Sequence, residues 1–441
     1  MRLVAFAIAL VCAAPQARAA VDARPIVGFR VEGKSKLHDK TIGYLAHVEI
    51  GDPVSDGMIP QLEAALMSSE LFETAWVRLD EAPGGVTVVA ILHDKMSWIA
   101  APTVFILPSH WAIGAGYAES DLNGQNKKML LYGQLGNRTS LFLGTFLDPS
   151  INGTKWLTRF DVYLLHEIIS EYKNPTTDAR SFTVDRESTE TFLDAGALVG
   201  YTFAWWMIGD VRLRGAYVYF RDAHAIDING SPSGALPVPE VDGWDVSLQL
   251  RGTLDARSHR YGVTWGPYAQ LILEPSVPGL DSFHYQLVKA RAYYSWKFFE
   301  EHELELRTRL IAGRHVPFHE ETTLGGVADL RGYDVDQFRG DFATFFRAEY
   351  SVPLFKWKVF AFRALGFWDS GYLAYLNHDP TNRRNFLPDQ IEGQHWFRND
   401  VGAGLRVYLK SIVVPLLGFD VGYGIEGHSP EVYFEIGLTD F

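Results

Sequence analysis

The sequence contains one local cluster of side chains of the kind that bind metal ions. His315 and His319 are four residues apart within HVPFHEE, and Glu320 follows directly. On a helix this spacing would place both imidazoles on one face, where Zn²⁺ could bind. Pro317 stands between the two histidines at the start of a loop, and a proline at that place is incompatible with a regular helix. We therefore predict no metal site from this motif.

The motifs of the common enzyme classes are absent from the sequence. There is no G-x-S-x-G nucleophile elbow, no P-loop and no glycine pattern for dinucleotides. The single cysteine, Cys12, lies within the first twenty residues, which excludes a cysteine nucleophile, a disulfide and a zinc–thiolate site from the rest of the chain. Glu303 and Glu305 alternate with Arg307 and Arg309, which indicates charge compensation rather than acid–base catalysis. The sequence predicts a non-enzymatic protein without a cofactor.

A second candidate is an arginine in a polar loop. The stretch ADLRGYDVDQFRGD, residues 328–341, places Arg331 directly before Gly332 and Tyr333. A guanidinium in a confined space needs a carboxylate partner, for which bidentate geometry is well suited. Glycine lets the backbone turn where a Cβ would clash, and an aromatic ring can pack on a wall. The role of Arg331 therefore depends on what the flanking segments build around it.

Charge and the N-terminus restrict the class of protein. The net charge of −13 argues against nucleic acid or anionic headgroups as main partners, because both require basic patches. Residues 1–20 combine Arg2, an apolar run over 3–14, and Ala17 and Ala19 at a cleavage site, as in a secretory signal peptide. No later apolar run is long enough for a transmembrane helix. An exported chain of this kind is either periplasmic or a membrane barrel.

Residues 25–96 predict a small α+β domain. PIVGFRVEGKS alternates like a strand, residues 39–46 fit a short helix, and a second helix is expected to begin near Pro60. ETAWVRLDE and GGVTVVAILHD then follow as two strands around a glycine turn. This order of elements gives a sheet with helices on one face.

From residue 97 onward the hydrophobic pattern has a period of two. Trp244, Val246 and Leu248 alternate with Asp245 and Ser247, for example. In a membrane barrel the apolar face meets lipid and the polar face lines the lumen, whereas a soluble sandwich has the opposite orientation. The segments are about 10 to 16 residues long, which suffices to cross a bilayer when tilted and exceeds the usual strand of a soluble sheet.

About sixteen such segments are predicted, an even number as bacterial barrels require. The long connections follow odd-numbered strands, while those after even-numbered strands are short, which is typical of outer-membrane barrels. The predicted fold is an all-β transmembrane barrel of about 16 antiparallel strands over residues 97–441, preceded by the α+β domain. The long connections are 167–188, 222–243, 315–340 and 370–398. The predicted strands are 98–107, 111–121, 127–136, 139–147, 155–166, 189–202, 206–221, 244–256, 260–273, 281–297, 301–314, 341–352, 357–369, 399–410, 415–424 and 431–440.

Two sets of motifs resemble known families. FRVEGKSKL, EIGDPVS and SSELFETAWVRL resemble a POTRA domain, the periplasmic module that precedes certain outer-membrane barrels, and only one copy is present. LRGY and GFWDSG resemble the BamA/TamA superfamily of barrels, also called the bacterial surface antigen family, whose members carry an F-x-D-x-G pattern. The resemblance implies that loop 315–340 folds into the lumen and that Arg331 meets Asp369 there. The site residues that it implies are Leu330, Arg331, Gly332 and Tyr333 in the loop, and Phe367, Asp369 and Gly371 in the wall.

The C-terminal segment EVYFEIGLTDF resembles the signal by which outer-membrane barrels are recognised for insertion. Phe434, Ile436 and Leu438 alternate along it, and the sequence ends on the aromatic residue Phe441, which has the opposite parity.

The resemblance implies an insertase or translocase of the bacterial outer membrane. Its POTRA-like domain would lie in the periplasm and receive an unfolded or secreted client protein by β-augmentation, and the seam between the first and last strands would open. The expected partners are this client and outer-membrane lipids, with no nucleic acid, and the barrel is expected to be monomeric. The alternative is a plugged pore or structural barrel that handles no client. The sequence does not identify the client.

Overall fold

The structure is a computed structural model that describes residues 21–172, 184–227, 229–260, 263–299, 301–358, 360–376, 397–409 and 415–436. The chain divides after Asp94 into two compact units. The predicted signal peptide, and Leu438 and Phe441 of the predicted C-terminal signal, lie outside the described residues. None of the helices in the described part of the chain has the length and apolarity needed to cross a membrane.

The first unit is a four-stranded sheet with two helices. The strand order is β2-β1-β4-β3, with β1 parallel to β4 and the other pairs antiparallel. Helix α1 has the predicted bounds, and α2 begins at Met58, shortly before the predicted start at Pro60. The elements are β1 Val21–Lys34, α1 Asp39–Ala46, β2 Pro53–Ser55, α2 Met58–Ser68, β3 Phe72–Ala82 and β4 Gly85–Asp94.

The helices of this unit bury one face against the sheet. Met58, Leu62 and Leu66 are the buried residues of α2, and their spacing of four places them on a single helical face. They pack with Ile42 of α1 and Val88 of β4 in one core. Buried apolar residues are four apart in the helical segment and alternate in the strands. This difference in spacing explains why the short domain contains both helices and strands.

The second unit is a closed antiparallel barrel of sixteen long strands, with the short strands β12 and β14 added to its ladders. The predicted fold class of this unit is confirmed, and each predicted strand corresponds to one of the sixteen. The short strands β18 and β19 pair with each other outside the barrel sheet. The elements are β5 Trp98–Ile106, β6 Trp111–Leu122, β7 Lys127–Gly136, β8 Thr139–Asp148, β9 Trp156–Tyr172, β10 Val184–Ala204, β11 Met207–Ile226, β12 Pro232–Ala235, β13 Gly243–Asp255, β14 Ser258–Arg260, β15 Val263–Pro275, β16 Gln286–Phe298, β17 His302–Arg314, β18 Thr322–Leu324, β19 Phe338–Gly340, β20 Phe342–Trp357, β21 Phe360–Ala374, β22 Phe397–Leu409, β23 Pro415–Gly424 and β24 Ser429–Ile436.

The barrel has its polar side chains inside and its apolar side chains outside. On β11, Val211 and Leu213 are 44% and 53% exposed, whereas Arg212 and Arg214 between and beside them are 8% and 3% exposed. A soluble sandwich would bury the valine and leucine instead. The observed orientation is the one expected of a barrel surrounded by lipid.

The barrel closes between its last strand, β24, and its first, β5. Within the described residues this seam has three residue pairs, Phe434 with Ile106, Glu435 with Phe105 and Ile436 with Val104. It is the shortest ladder between any two of the sixteen long strands in that part of the chain. Pro102 lies in β5 and has no N–H to donate to a ladder.

Candidate functional site

The connection between β17 and β20 folds into the interior of the barrel. It contains the 3-10 turn Phe318–Glu320 and the hairpin of β18 and β19. Leu330 at its tip is fully buried, and Phe338 packs against Phe345 and Leu373 of the wall. We call residues 315–340 the lumenal loop. The resemblance implied that this loop folds into the lumen, and the burial of its residues agrees with that orientation.

Arg331 is the centre of charge at the tip of this loop. Its Nε and Nη2 donate to the two carboxylate oxygens of Asp369 at 2.9 and 3.3 Å, a bidentate pair. Its Nη1 lies 2.9 Å from Glu349 Oε2 and 3.5 Å from Asp420 Oδ2. The guanidinium carbon lies 3.3 Å from the centre of the Phe367 ring. The Arg331 side chain is 1% exposed, so its charge is compensated by protein groups rather than by bulk water.

A second guanidinium shares Asp369 with Arg331. Arg347 Nε donates to Asp369 Oδ1 at 2.7 Å and its Nη2 to Oδ2 at 3.1 Å. The same Nη2 donates to the backbone carbonyl of Asp329 at 2.7 Å, so Arg347 also holds the loop backbone. Asp369 is therefore the common partner of one arginine from the loop and one from the wall.

Three members of this network were not predicted from the sequence: Arg347, Glu349 and Asp420. Arg347 and Glu349 share one face of β20, and Asp420 stands alone among apolar residues and glycines in GFDVGYG. The parity of β20 would have placed both of its charged residues in the lumen. Nothing in the linear sequence indicates that they lie at the height of Arg331, because that depends on strand register.

Gly332 allows the tip to touch the wall with its backbone. A Cβ added at Gly332 would lie 2.6 Å from the Cβ of Asp400 and collide with the backbone nitrogen of Gly424. A Cβ added at Gly422 would in turn collide with the carbonyl of Arg331. Glycine at Gly332 in the loop and at Gly422 in β23 therefore allows the two backbones to lie in direct contact.

We expect Gly332→Ala to displace the loop tip without opening the barrel. The added methyl group meets backbone atoms, which cannot move aside as a flexible side chain can. The displaced tip should become accessible to protease within residues 315–340. Gly215→Ala on β11 is the matched control, because a Cβ there meets no atom within 4 Å. Equal protease resistance of both variants would show that close backbone packing does not hold the tip.

The loop motif and the wall motif meet at further points. Gly371 of the wall brings β21 close to the loop, since a Cβ there would lie 2.8 Å from Leu324 Cδ1 and 3.2 Å from Leu330 Cδ1. The Tyr333 hydroxyl donates to Glu426 at 2.5 Å. All seven residues that the resemblance named in the loop and the wall therefore lie in one cluster.

The residues after the tip touch both sides of the seam. The backbone carbonyl of Tyr333 accepts a hydrogen bond of 2.5 Å from the hydroxyl of Tyr433, which lies on β24. Ser109, in the turn that follows β5, donates to Asp334 Oδ1 at 2.6 Å. Two consecutive loop residues are thus bonded to the two elements that close the barrel. The loop therefore links the two sides of the seam.

The base of the loop has its own contacts with the wall. His319 Nε2 lies 3.0 Å from Asp245 Oδ2, and Glu320 Oε1 lies 2.7 Å from Arg214 Nη1. Burial lowers the pKa of His319, but the hydrogen bond and charge of Asp245 and the charge of Glu320 outweigh it, so this pKa is raised above its ordinary value. His315 is not part of this group.

One possible metal group lies at this base. Ligand atoms of Asp245, His319 and Glu320 lie within 4.8 Å of one another. However, Arg214 lies 2.9 Å from Asp245 and 2.7 Å from Glu320, so a guanidinium already supplies the positive charge between the carboxylates. His319 and Glu320 lie in the 3-10 turn Phe318–Glu320, whereas Asp245 is distant from them in sequence.

The predicted C-terminal signal is described in part. Phe434 and Ile436 lie on β24, pair with β5 and point to the outer side of the barrel, as the alternation of burial along β24 indicates.

Comparisons with known proteins add a family and a fold. Residues 121–439, more than half of the chain, match the model of the Omp85 superfamily domain. BamA from Haemophilus ducreyi, lacking POTRA domains 1–3, has a similar structure with a TM-score of 0.59 at 14% identity, over 95% of this chain and 89% of that chain. CdiB from Escherichia coli has a TM-score of 0.60 at 12% identity, over 93% of this chain and 76% of that chain. No curated protein matches the chain.

Proposed function

The chain belongs to the Omp85 superfamily, and from this membership we propose that it is an outer-membrane insertase or translocase for client proteins. The observation that carries the proposal is the contact of one buried loop with both sides of the seam that has the shortest ladder in the described part of the barrel. Tyr333 and Asp334 bond to Tyr433 and Ser109, and the seam itself has three residue pairs in the described chain. A barrel that opens there would expose strand edges on which a client strand can pair.

We propose that residues 25–96 are a single POTRA-like domain that receives the client in the periplasm. The supporting observation is the order strand, helix, strand, helix, strand, strand with the parallel pair β1 and β4 at the centre of the sheet. Strand β3 lies at one edge of this sheet and exposes Trp76, which is 63% exposed. An extended client could add to that edge by main-chain hydrogen bonds, although Glu63 already accepts from the N–H of Val77.

No catalytic step is required by this function. Opening and closing of a ladder exchanges backbone hydrogen bonds between strands, and the client gains the bonds that the seam loses. The protein would thus act as a monomeric barrel in outer-membrane lipid, without a cofactor.

The experiment that tests the function is depletion of the chain in its native cells. Other outer-membrane barrels, or one secreted protein, should fall in abundance at the outer membrane while their transcripts stay constant. The alternative, a plugged pore or structural barrel, uses the same loop contacts and predicts no such loss. An unchanged outer-membrane and secreted proteome after depletion would favour that alternative.

We expect the first unit to lie on the periplasmic side. Pro60 in α2 is exposed, so a cysteine at this position should react freely where reagent can reach it. A membrane-impermeant maleimide should label Pro60→Cys only after the outer membrane is permeabilised. A cysteine at Gly230, in the long connection between β11 and β13, is the control that should be labelled in intact cells. Labelling of Pro60→Cys in intact cells would contradict this topology.

A further inference from the structure

A cavity at the rim of the barrel is lined by basic side chains and by no acidic one. It lies where the connection from β15 to β16 meets the end of β17, and its volume is about 390 Å³. No Asp or Glu is among the described residues that line it, although the whole chain has a net charge of −13. Its polar lining consists of Ser276, His284, Gln286, Arg314 and His315. We call this cavity the rim pocket.

Two of these residues place the rim pocket on the outer side of the barrel. Gln286 and Arg314 are opposite each other in the ladder of β16 and β17, and both are exposed. Val288 and Leu310 have the same parity on these strands and are 38% and 41% exposed, as lipid-facing residues are. At about 3.4 Å per residue, Gln286 lies roughly 7 Å beyond Val288 along the strand. The pocket therefore lies just past the apolar band, at the level of the lipid headgroups.

The guanidinium of Arg314 is the strongest donor in this lining. Within the described residues it makes no hydrogen bond and no salt bridge. Arg221, an exposed arginine near the same end of β11, shows the contrast, because its Nη1 lies 2.9 Å from Asp242 Oδ2. Arginine presents five donors in a rigid fork that matches the oxygens of phosphate. The charge of Arg314 is thus available to an anion from outside the chain.

Further donors come from the connection between β15 and β16. His284 Nδ1 lies 3.7 Å from Asp281 Oδ2, which is too long for a hydrogen bond. The Asp281 carboxylate instead accepts from the backbone N–H groups of Phe283 and His284. The Ser276 hydroxyl accepts from the N–H of Tyr285 at 3.1 Å and can donate one further bond. An imidazole and a hydroxyl therefore join the guanidinium in the lining.

We propose that the rim pocket binds a phosphate group, carried by a lipid headgroup or present as the free ion. Its donors come from three segments, with Arg314 on β17, Gln286 on β16 and His284 in the connection before it. A phosphate offers three or more acceptor oxygens that can be approached from several sides, and arginine binds it in bidentate geometry. One water molecule occupies about 30 Å³, so the cavity has room for a headgroup as well as for an ion.

The site is tested on the full-length chain in detergent. Phosphatidic acid and diacylglycerol, which differ only in the phosphate, are added to the micelles, and bound lipid is counted by native mass spectrometry. One phosphatidic acid should be retained per chain, whereas diacylglycerol should not be retained. A second arm measures inorganic phosphate by calorimetry and as a competitor. Phosphatidic acid that resists this competition identifies the headgroup as the source, and binding of inorganic phosphate alone identifies the free ion.

Variants test whether the lining residues make the site. Arg314→Gln should lower the affinity for the phosphate ligand about tenfold or more, as loss of a charged hydrogen bond does, and Arg314→Lys should retain part of it. His284→Gln should cause a smaller loss. Arg221→Gln is the matched control, because Asp242 already neutralises Arg221, and it should bind as the parent chain does. Each variant should keep the heat-modifiable gel migration of a folded barrel.

Two results would overturn the proposal. The first is a parent chain that binds neither phosphatidic acid nor inorganic phosphate. The second is equal affinity of Arg314→Gln and Arg221→Gln for the ligand that the parent chain binds, since the cavity would then contribute nothing beyond general surface charge. The rim pocket lies on the outer side of the barrel and does not depend on client handling, so neither result would bear on the proposed function.

Discussion

Arg331→Ala is expected to free the lumenal loop and abolish client handling while the barrel stays closed. Removing one partner of a buried, hydrogen-bonded ion pair costs roughly 3–5 kcal/mol, and water in the lumen should reduce this figure. The closed ladder of sixteen strands does not depend on Arg331. The loss should therefore appear as mobility of the loop rather than unfolding. Asp369, Glu349 and Asp420 would then face each other with fewer positive charges among them.

Asp369→Ala is expected to cause the same defect by a different route. Arg331 would keep Glu349 and Asp420, but Arg347 would lose its only carboxylate partner in the described residues. Because both arginines share Asp369, the two substitutions act on one network. Their effects should be non-additive by about 0.5–3 kcal/mol, and the double variant should be little worse than either single one.

The measurement is a double-mutant cycle with two readouts, client assembly in cells and protease sensitivity of residues 315–340. Arg251→Ala is the matched control, since Arg251 on β13 bonds Asp210 of the neighbouring strand β11, and neither residue belongs to the loop. The control should leave both readouts unchanged. Strictly additive effects of Arg331→Ala and Asp369→Ala would show that the pair does not act as a unit.

The barrel could be predicted strand by strand because lipid and lumen impose a period of two on every segment. The predicted and observed strand boundaries differ where the period of two ends. Strand β10 begins at Val184 rather than near 189, in a region that extends beyond the apolar stretch, where polar residues occupy both faces. Strand β16 begins at Gln286 rather than near 281, because the Asp281 carboxylate accepts hydrogen bonds from the backbone of Phe283 and His284 and forms a turn.

The candidate site could be predicted only where a local motif carried it. Arg331 and Asp369 belong to the two short motifs on which the resemblance rests, and in the structure these residues form an ion pair. Tyr433 and Ser109 contact the loop through single hydrogen bonds, and no local pattern indicates them. His319 is the opposite case: its motif was rejected as a helical metal site because of Pro317, and the structure pairs it with Asp245, which lies on a distant strand that no local pattern indicates.

The two contacts across the seam connect the loop to the proposed mechanism. Tyr433 belongs to β24 and Ser109 to the turn after β5, so separation of these strands must break at least one of their bonds to Tyr333 and Asp334. The tip of the same loop is held by Arg331. A loop fixed by its charged network therefore favours the closed seam, and release of the tip would favour opening.

Locking the seam with a disulfide is expected to stop client handling in a barrel that is otherwise intact. Phe105 and Glu435 are directly opposite each other across the seam, and their side chains share the inner face. Opposite residues in antiparallel strands have Cβ atoms close enough for a disulfide after small adjustments. While this covalent bond is intact, β5 and β24 cannot separate at these positions. Oxidised Phe105→Cys/Glu435→Cys should therefore lose most activity, and reduction should restore it.

The control places the same disulfide where opening is not proposed. Ala269 and Ala292 are opposite each other on β15 and β16, inside a continuous ladder, and alanine is close to cysteine in size. Oxidised Ala269→Cys/Ala292→Cys should work as well as its reduced form, which separates the effect of a lock at the seam from that of any disulfide in the barrel. The readout is the abundance of client barrels or secreted protein, with the fraction of oxidised chain measured in the same cells. Full activity of a completely oxidised seam variant would show that β5 and β24 need not separate, and lateral opening would then be wrong for this chain.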